Sequence, residues 1–233
     1  MPLITYTDIF DDLPLRLKTG INPYVEKLIQ AQKEGSLPLK FGGELRGLKG
    51  NWREYFSSRM GASVDKLILE IGVHKGKVLN KLVQDHPNSG IIGMDITMKR
   101  VVLSAERIKR QSLKNGVVLL GNARAIDDIF DKDELDGVIV FFPDPWTKKV
   151  KQMGNRLINK DFCQKVARTL RKNGFFWLKT DNLNYFEETA EHFSQLGFTP
   201  MDSPPFKETY ESTFEARFKS MGYETYGNVF IKP

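Results

Sequence analysis

"KLILEIGVHKGKVLNKLVQDHPNSGIIGMDI", residues 66–96, decides how the chain is built. Its first part, "KLILEIGV" (66–73), is an almost unbroken apolar run, the pattern of a strand covered on both faces. A loop punctuated by Gly72 and Gly76 follows, and then "GKVLNKLVQDH" (76–86) repeats its apolar residues at helical spacing. "GIIGMDI" (90–96) is a second apolar strand. Strand, helix and strand in so short a stretch read as a parallel pair joined by a crossover helix.

The same alternation continues outward. "TMKRVVLSAERIKRQ" (97–111) reads as a helix capped by Thr97, and "GVVLLGNA" (116–123) as a strand. "ARAIDDIF" (123–130) is a short turn or helix, and "DGVIVFF" (136–142) a fourth strand. "DFCQKVARTLRKNG" (161–174) is expected to be a helix ending at Gly174, "FFWLKTD" (175–181) a fifth strand, and "NYFEETAEHFSQLG" (184–197) a helix with its own terminal glycine. "GNVFIKP" (227–233) closes the series as an edge strand. The expected fold is α/β, a doubly wound, mostly parallel sheet over residues 66–233. Residues 1–65 lack a clear strand pattern and read as an N-terminal extension packed on that core. Within it, 20–35 looks helical, and 44–59 interleaves Arg46, Lys49, Arg53 and Arg59 with Trp52, Tyr55 and Phe56. Those residues could meet RNA phosphates and bases, or the aromatics could simply anchor the extension.

The totals bound the function. A length of 233 residues and a hydrophobic fraction of 40% suit one large domain, or one domain with an extension. A net charge of +6 fits a polyanionic partner as well as an ordinary basic protein. The single cysteine, Cys163, excludes a disulfide framework and fits the reducing cytoplasm. His74, His86 and His192 lie far apart in sequence, so no metal site is expected. The first residues lack a signal-peptide core, and no apolar run approaches the ~20 residues of a membrane span. The expectation is a cytoplasmic protein, monomer or homodimer.

In a doubly wound sheet, ligands bind beyond the carboxyl ends of the strands. Those ends carry Glu70 with the Gly72–Gly76 loop, Asp95, Asn122 with Ala123, Asp144, and Thr180 with Asp181. Asp95 follows Gly72 at the spacing of an acid that grips ribose hydroxyls. Glu70 would repel a pyrophosphate but suits a cation, so S-adenosylmethionine fits these charges better than a dinucleotide; pairing with a nearby lysine is the alternative. Asn122 could meet an adenine edge. The stretch "VIVFFPDPWTKK" (138–149) then sets Asp144 between Pro143 and Pro145, beside Trp146 and Lys148. The prolines fix the backbone under the carboxylate; without a ligand, the same residues would make a rigid surface turn.

"FFPDPWTKK", "LEIG" with "KG", "GMDI", "GNA", "LKTDN" and "STFEARFKSMG" occur here in an order that resembles the bacterial tRNA (guanine-N7)-methyltransferases. The resemblance covers residues 50–233, and the proline–aspartate–proline–tryptophan motif is its most specific part. It implies a Rossmann-like class I fold using S-adenosylmethionine to methylate N7 of a guanine in the tRNA variable loop. It further implies that Glu70, Asp95, Asn122 and Asp144 contact the cofactor, with Asp144 also at the catalytic position. Lys148, Asp181 and the segment Ser212, Thr213, Phe214, Glu215 are implied to contact substrate. That segment also reads as a capping box, with Ser212 as N-cap and Glu215 at N3.

Three departures stand out. His74 occupies the middle position where the family loop has glycine, which should weaken cofactor binding or reshape the loop. Thr147 replaces a proline. The basic run after the lysines is thinned to "VKQMGNR", leaving Lys151 and Arg156 as its cations and fewer phosphate contacts. A catalytically weak RNA-binding or scaffolding member and a small-molecule methyltransferase therefore stay open as alternatives.

Overall fold

The computed structural model describes residues 23–146, 154–206 and 209–233. Its centre is an eight-stranded sheet in the order β1-β4-β3-β2-β5-β6-β8-β7. The strands are β1 Leu39–Phe41, β2 Leu67–Ile71, β3 Gly90–Asp95, β4 Gly116–Leu120, β5 Leu135–Phe141, β6 Leu170–Thr180, β7 Thr199–Met201 and β8 Tyr226–Ile231. Neighbours from β1 to β6 pair parallel, whereas β8 runs antiparallel to β6 and to β7. The α-helices are α1 Pro23–Glu34, α2 Gly43–Gly47, α3 Trp52–Met60, α4 Lys77–Asp85, α5 Met98–Arg110, α6 Ile126–Ile129, α7 Lys160–Thr169, α8 Leu183–Gln195 and α9 Thr213–Ser220.

The two-sided apolarity of the strands has its counterpart in two hydrophobic clusters, one on each face. Leu67, Leu69, Ile92, Met94, Val117, Leu119, Val138 and Val140 share one cluster with side chains of α3, α6, α7 and α8. Ile68, Ile91, Val118, Leu120 and Ile139 share the other with side chains of α1, α4 and α5. The period-two alternation of each strand sorts its side chains between these layers. In α4 the buried stripe is Val78, Leu79, Leu82 and Val83, and in α5 it includes Val101, Val102, Ala105 and Ile108. This is the doubly wound α/β fold, and β2, at its middle, feeds the glycine loop.

Several elements differ from the reading of the sequence. β1 lies in the extension and pairs with β4, so the extension extends the core sheet itself. Three residues are too short to show a period. Trp52 and Phe56 are fully buried, and the Trp52 indole donates to the Ile129 carbonyl (3.0 Å), so these two aromatics anchor the extension. Glu134 secures the same junction, accepting from the backbone N–H groups of Trp52 and Gly50, each at 3.0 Å. Arg53 pairs with Asp136, and Lys49 donates to the Asp127 carbonyl (2.7 Å), so both cations are engaged within the fold.

Helix α7 stops at Thr169 rather than Gly174. Leu170 is already extended and buried, and β6 carries an irregularity where its register with β5 jumps. Asn173 takes a left-handed φ of 60°, and a Cβ on Gly174 would lie 2.8 Å from the Arg171 carbonyl oxygen. The "KNG" turn signal is thus absorbed as a bulge within a strand. β8 is not an edge, because the short β7 pairs on its outer side. Thr97 sits at the N-cap of α5 without a side-chain cap; Asp95 Oδ1 accepts its N–H instead (2.8 Å).

Candidate active site at the carboxyl ends of the strands

The parallel register brings the ends of β2, β3, β4, β5 and β6 side by side, and with them Glu70, Asp95, Asn122, Asp144 and Asp181. Glu70 lies within β2 and is buried. Burial, and after it the charge of Asp95, pushes its pKa up to about 8. Its Oε2 is buried and accepts no hydrogen bond from the described residues. A carboxylate at this depth is costly to ionise unless a cation joins it, and an ammonium group meets that need.

The loop that follows is held in a strained form. Gly72 has a φ of 80° and donates to the Met94 carbonyl (2.7 Å). Gly76 has a φ of 66°, and a Cβ there would lie 2.8 Å from Ser104 Oγ, so both conformation and space demand glycine. Between them His74 adopts a φ of 48°, a left-handed conformation uncommon for a residue with a side chain. Its N–H donates to Asp95 Oδ2 (3.3 Å), and its ring lies 4.7 Å from that of Phe214. Burial, then the charges of Arg100 and Lys75, hold the imidazole below its usual pKa, and its buried Nδ1 has no partner among the described residues.

Asp95 is buried and tied down by the N–H groups of Thr97 and His74, with Arg100 at 3.6 Å. Ile96 directly after it is exposed, an apolar side chain that the sequence reading passed over. Asn122 caps the 3-10 turn Ala123–Ala125, its Oδ1 accepting from Arg124 N–H (3.1 Å), and Ala123 is buried beneath.

Asp144 projects from a turn whose two flanking residues both have left-handed backbones, Phe142 at φ 54° and Trp146 at φ 47°. Such conformations cost roughly 1–3 kcal/mol each and persist only where the surroundings impose them. Phe142 N–H donates to the Lys179 carbonyl (2.7 Å), and Trp146 N–H donates to Asp144 Oδ1 (3.1 Å). Arg156 braces the turn from behind: its Nε donates to the Pro145 carbonyl (2.8 Å), its NH1 pairs with Glu188, and its guanidinium lies 4.8 Å from the Tyr185 ring centroid. Arg156 is buried, so it is not one of the outward cations that the sequence reading placed in the basic run. Thr147, Lys148, Lys149 and Lys151 lie outside the described residues.

Asp181 is exposed just past β6, where Asn182 caps α8 by accepting from Tyr185 N–H (2.9 Å). Ser212 caps α9, its Oγ accepting from Glu215 N–H (3.0 Å). The reciprocal half of a capping box is replaced. The Glu215 carboxylate instead takes Lys179 and Lys219, each at 2.9 Å. Burial alone would raise Glu215; the hydrogen bonds from Lys219 and Lys179 outweigh it and hold the carboxyl below its ordinary value. Lys179 is thus an internal tie that position in sequence did not reveal. Burial pushes the Cys163 thiol up to about 12, which leaves it inert. Among the described residues there is no metal-binding cluster, and no helix is long and apolar enough to cross a membrane.

Comparison with known proteins points the same way. A family model described as "Putative methyltransferase" matches residues 64–227. A tRNA (guanine-N(7)-)-methyltransferase of Clostridium tetani is 26% identical over 183 residues, covering 76% of this chain and 84% of the relative. A bifunctional glycosyltransferase/methyltransferase of Fusobacterium nucleatum is 29% identical over 175 residues, 75% of this chain but 26% of that longer protein. Among solved structures, the 16S rRNA methyltransferase KamB aligns with a TM-score of 0.57 at 15% identity, covering 77% of this chain and 92% of that one, which is a likeness of fold.

Proposed function

The chain belongs to that methyltransferase family, class I and S-adenosylmethionine-dependent, and from this premise we propose that it methylates N7 of a guanine in tRNA. The observation that carries the reading is Asp144, held between two prolines and two left-handed residues at the carboxyl end of β5, next to the strand that carries Glu70.

S-adenosylmethionine supplies an electrophilic methyl group on a sulfonium. Glu70 would hold the ammonium end, with Gly72 and Gly76 letting the backbone approach. Asp95 would take the ribose hydroxyls, Asn122 and Ala123 the adenine edge, and Ile96 one face of the base. Guanine N7 presents an sp² lone pair, so no residue needs to remove a proton before attack. The work left to the protein is alignment and electrostatics, a contribution of up to ~7–11 kcal/mol in well-oriented cases. Asp144 stands where positive charge grows on the purine and stabilises it. Asp181 can accept from guanine N1–H and N2–H, while Lys148 and Ser212–Glu215 receive the RNA. The net charge of +6 supports a polyanionic substrate. We further propose that residues 1–65 form an extension packed on a methyltransferase domain of residues 66–233.

His74 favours a second reading, a member that binds RNA with little turnover. Incubation with labelled S-adenosylmethionine and unmodified tRNA, followed by nucleoside mapping, tests both. The expected product is 7-methylguanosine, lost in Asp144→Ala. Labelling that persists in that variant overturns the assignment of Asp144. Tight cofactor and tRNA binding without product supports the second reading.

A further inference from the structure

An aromatic row links the glycine loop to the turn that carries Asp144. The His74 ring lies 4.7 Å from Phe214, Phe214 lies 6.5 Å from Phe218, and Phe218 lies 5.6 Å from Phe142. Phe214 and Phe218 are one helical turn apart on α9, so one face of that helix spans from the glycine loop to the residue that opens the Pro143–Pro145 turn. The segment leading into α9 is secured along α4 by separate contacts. Phe206 packs 4.5 Å from the His86 ring. The Tyr210 hydroxyl donates to Asp85 Oδ2 (3.0 Å) and lies 2.8 Å from His86 Nε2. Glu211 pairs with Lys77 at 3.4 Å, and Lys179 donates to the Tyr210 carbonyl (2.8 Å). Those contacts hold the body of the segment. The link from α9 to the cofactor loop itself is made by the His74 ring, at the position where a glycine would offer no side chain.

We propose that His74 is a positioning residue: its ring seats α9 on the cofactor loop and, through Phe214, Phe218 and Phe142, fixes the turn that presents Asp144. The inference rests on the proposed role of Asp144. It also gives a reason for the left-handed backbone at His74, which aims a ring at α9 from a tight loop. Burial, then the charges of Arg100 and Lys75, disfavour the charged imidazole, which suits an apolar contact.

The test compares His74→Asn, which tolerates the left-handed backbone but lacks a ring, with His74→Tyr, which restores one. Hydrogen exchange of α9 amides is the readout that does not depend on turnover. In His74→Asn these amides should exchange about tenfold faster while those of β2 to β5 are unchanged. With tRNA as substrate, kcat should fall about tenfold while the dissociation constant for S-adenosylmethionine stays within about twofold. His74→Tyr should recover both. Unchanged α9 exchange, faster exchange with intact kcat, or a loss confined to cofactor affinity overturns the proposal. Absence of product with the unaltered protein would count against the substrate reading alone, since the exchange measurement still reports on the α9 contact.

Discussion

Arg156 Nε donates to the Pro145 carbonyl across 2.8 Å from a guanidinium that the fold buries. The same guanidinium pairs with Glu188 and lies over Tyr185, so a planar, charged fork sets the far side of the Asp144 turn. The two left-handed residues that flank this turn need such support.

Arg156→Lys keeps the charge but loses the fork and the stack. Because the Arg156 guanidinium is buried and taken up by Pro145, Glu188 and Tyr185, cofactor and tRNA affinities should change less than turnover. Turnover should fall about 10–100-fold, since small misplacements of a reacting group cost on that scale. Single-turnover kinetics beside equilibrium binding checks this; full activity in the lysine variant removes the brace from the mechanism.

How much of this was legible beforehand divides along physical lines. The strands from β2 to β5 and the helices between them announced themselves, because burial on both faces leaves continuous apolar runs and burial on one face leaves a 3.6-residue stripe. Asp144, Glu70 and Asp95 followed from where such strands end. What escaped were contacts between residues distant in sequence. Arg156 looks like any cation in a basic run until Glu188 and Tyr185 are placed around it. Gly174 looked like a helix stop, yet Leu170 had already turned into β6 because its side chain is needed in the core. β1 and β7 are three-residue strands defined by their partners, and no pattern that short can declare itself.

Glu70 makes the stability of the cofactor-free protein fall as pH rises. Its folded pKa is raised to about 8, first by burial and then by Asp95, whereas the unfolded value is near 4.5. The folded state therefore binds more protons between these values. Stability is full below the unfolded pKa and declines as pH climbs toward the folded one. At pH 7 the penalty is on the order of 3 kcal/mol. Glu70→Gln should be more stable than the parent by about that amount at pH 7, and the parent's loss of stability relative to the variant should grow from pH 5 to 8. Urea unfolding across this range measures it; parallel curves for the two proteins would contradict a raised Glu70.

Cofactor binding should release a proton through the same group. An ammonium brought against Glu70 favours the carboxylate, so the complex holds fewer protons than the free protein at neutral pH. Affinity for S-adenosylmethionine should then rise with pH through neutrality, and fall again once the ligand's own ammonium loses its proton near pH 8. Calorimetry in two buffers of different ionisation enthalpy counts the protons directly. Close to one is expected for the parent and close to none for Glu70→Gln, with affinity in the variant weaker by about tenfold or more. Equal proton counts would place the ammonium elsewhere.

Trp146 offers the last and most direct test of RNA contact. Its indole is exposed beside Asp144, and the Trp146 backbone N–H donates to Asp144 Oδ1 at 3.1 Å. The backbone hydrogen bond survives any side chain, and glycine adopts a φ of 47° without strain, so Trp146→Gly removes the ring while leaving the turn intact. If the indole stacks on a base next to the target guanine, the loss should follow the ~1–3 kcal/mol typical of aromatic–base stacking, a rise in KM for tRNA of roughly tenfold or more. Stacking carries no charge, so the salt dependence of binding should keep its slope. Trp146→Phe should restore most of the affinity. A steeper or shallower salt slope in Trp146→Gly, or an unchanged KM, would mean that the indole shields the turn from solvent rather than meeting the RNA.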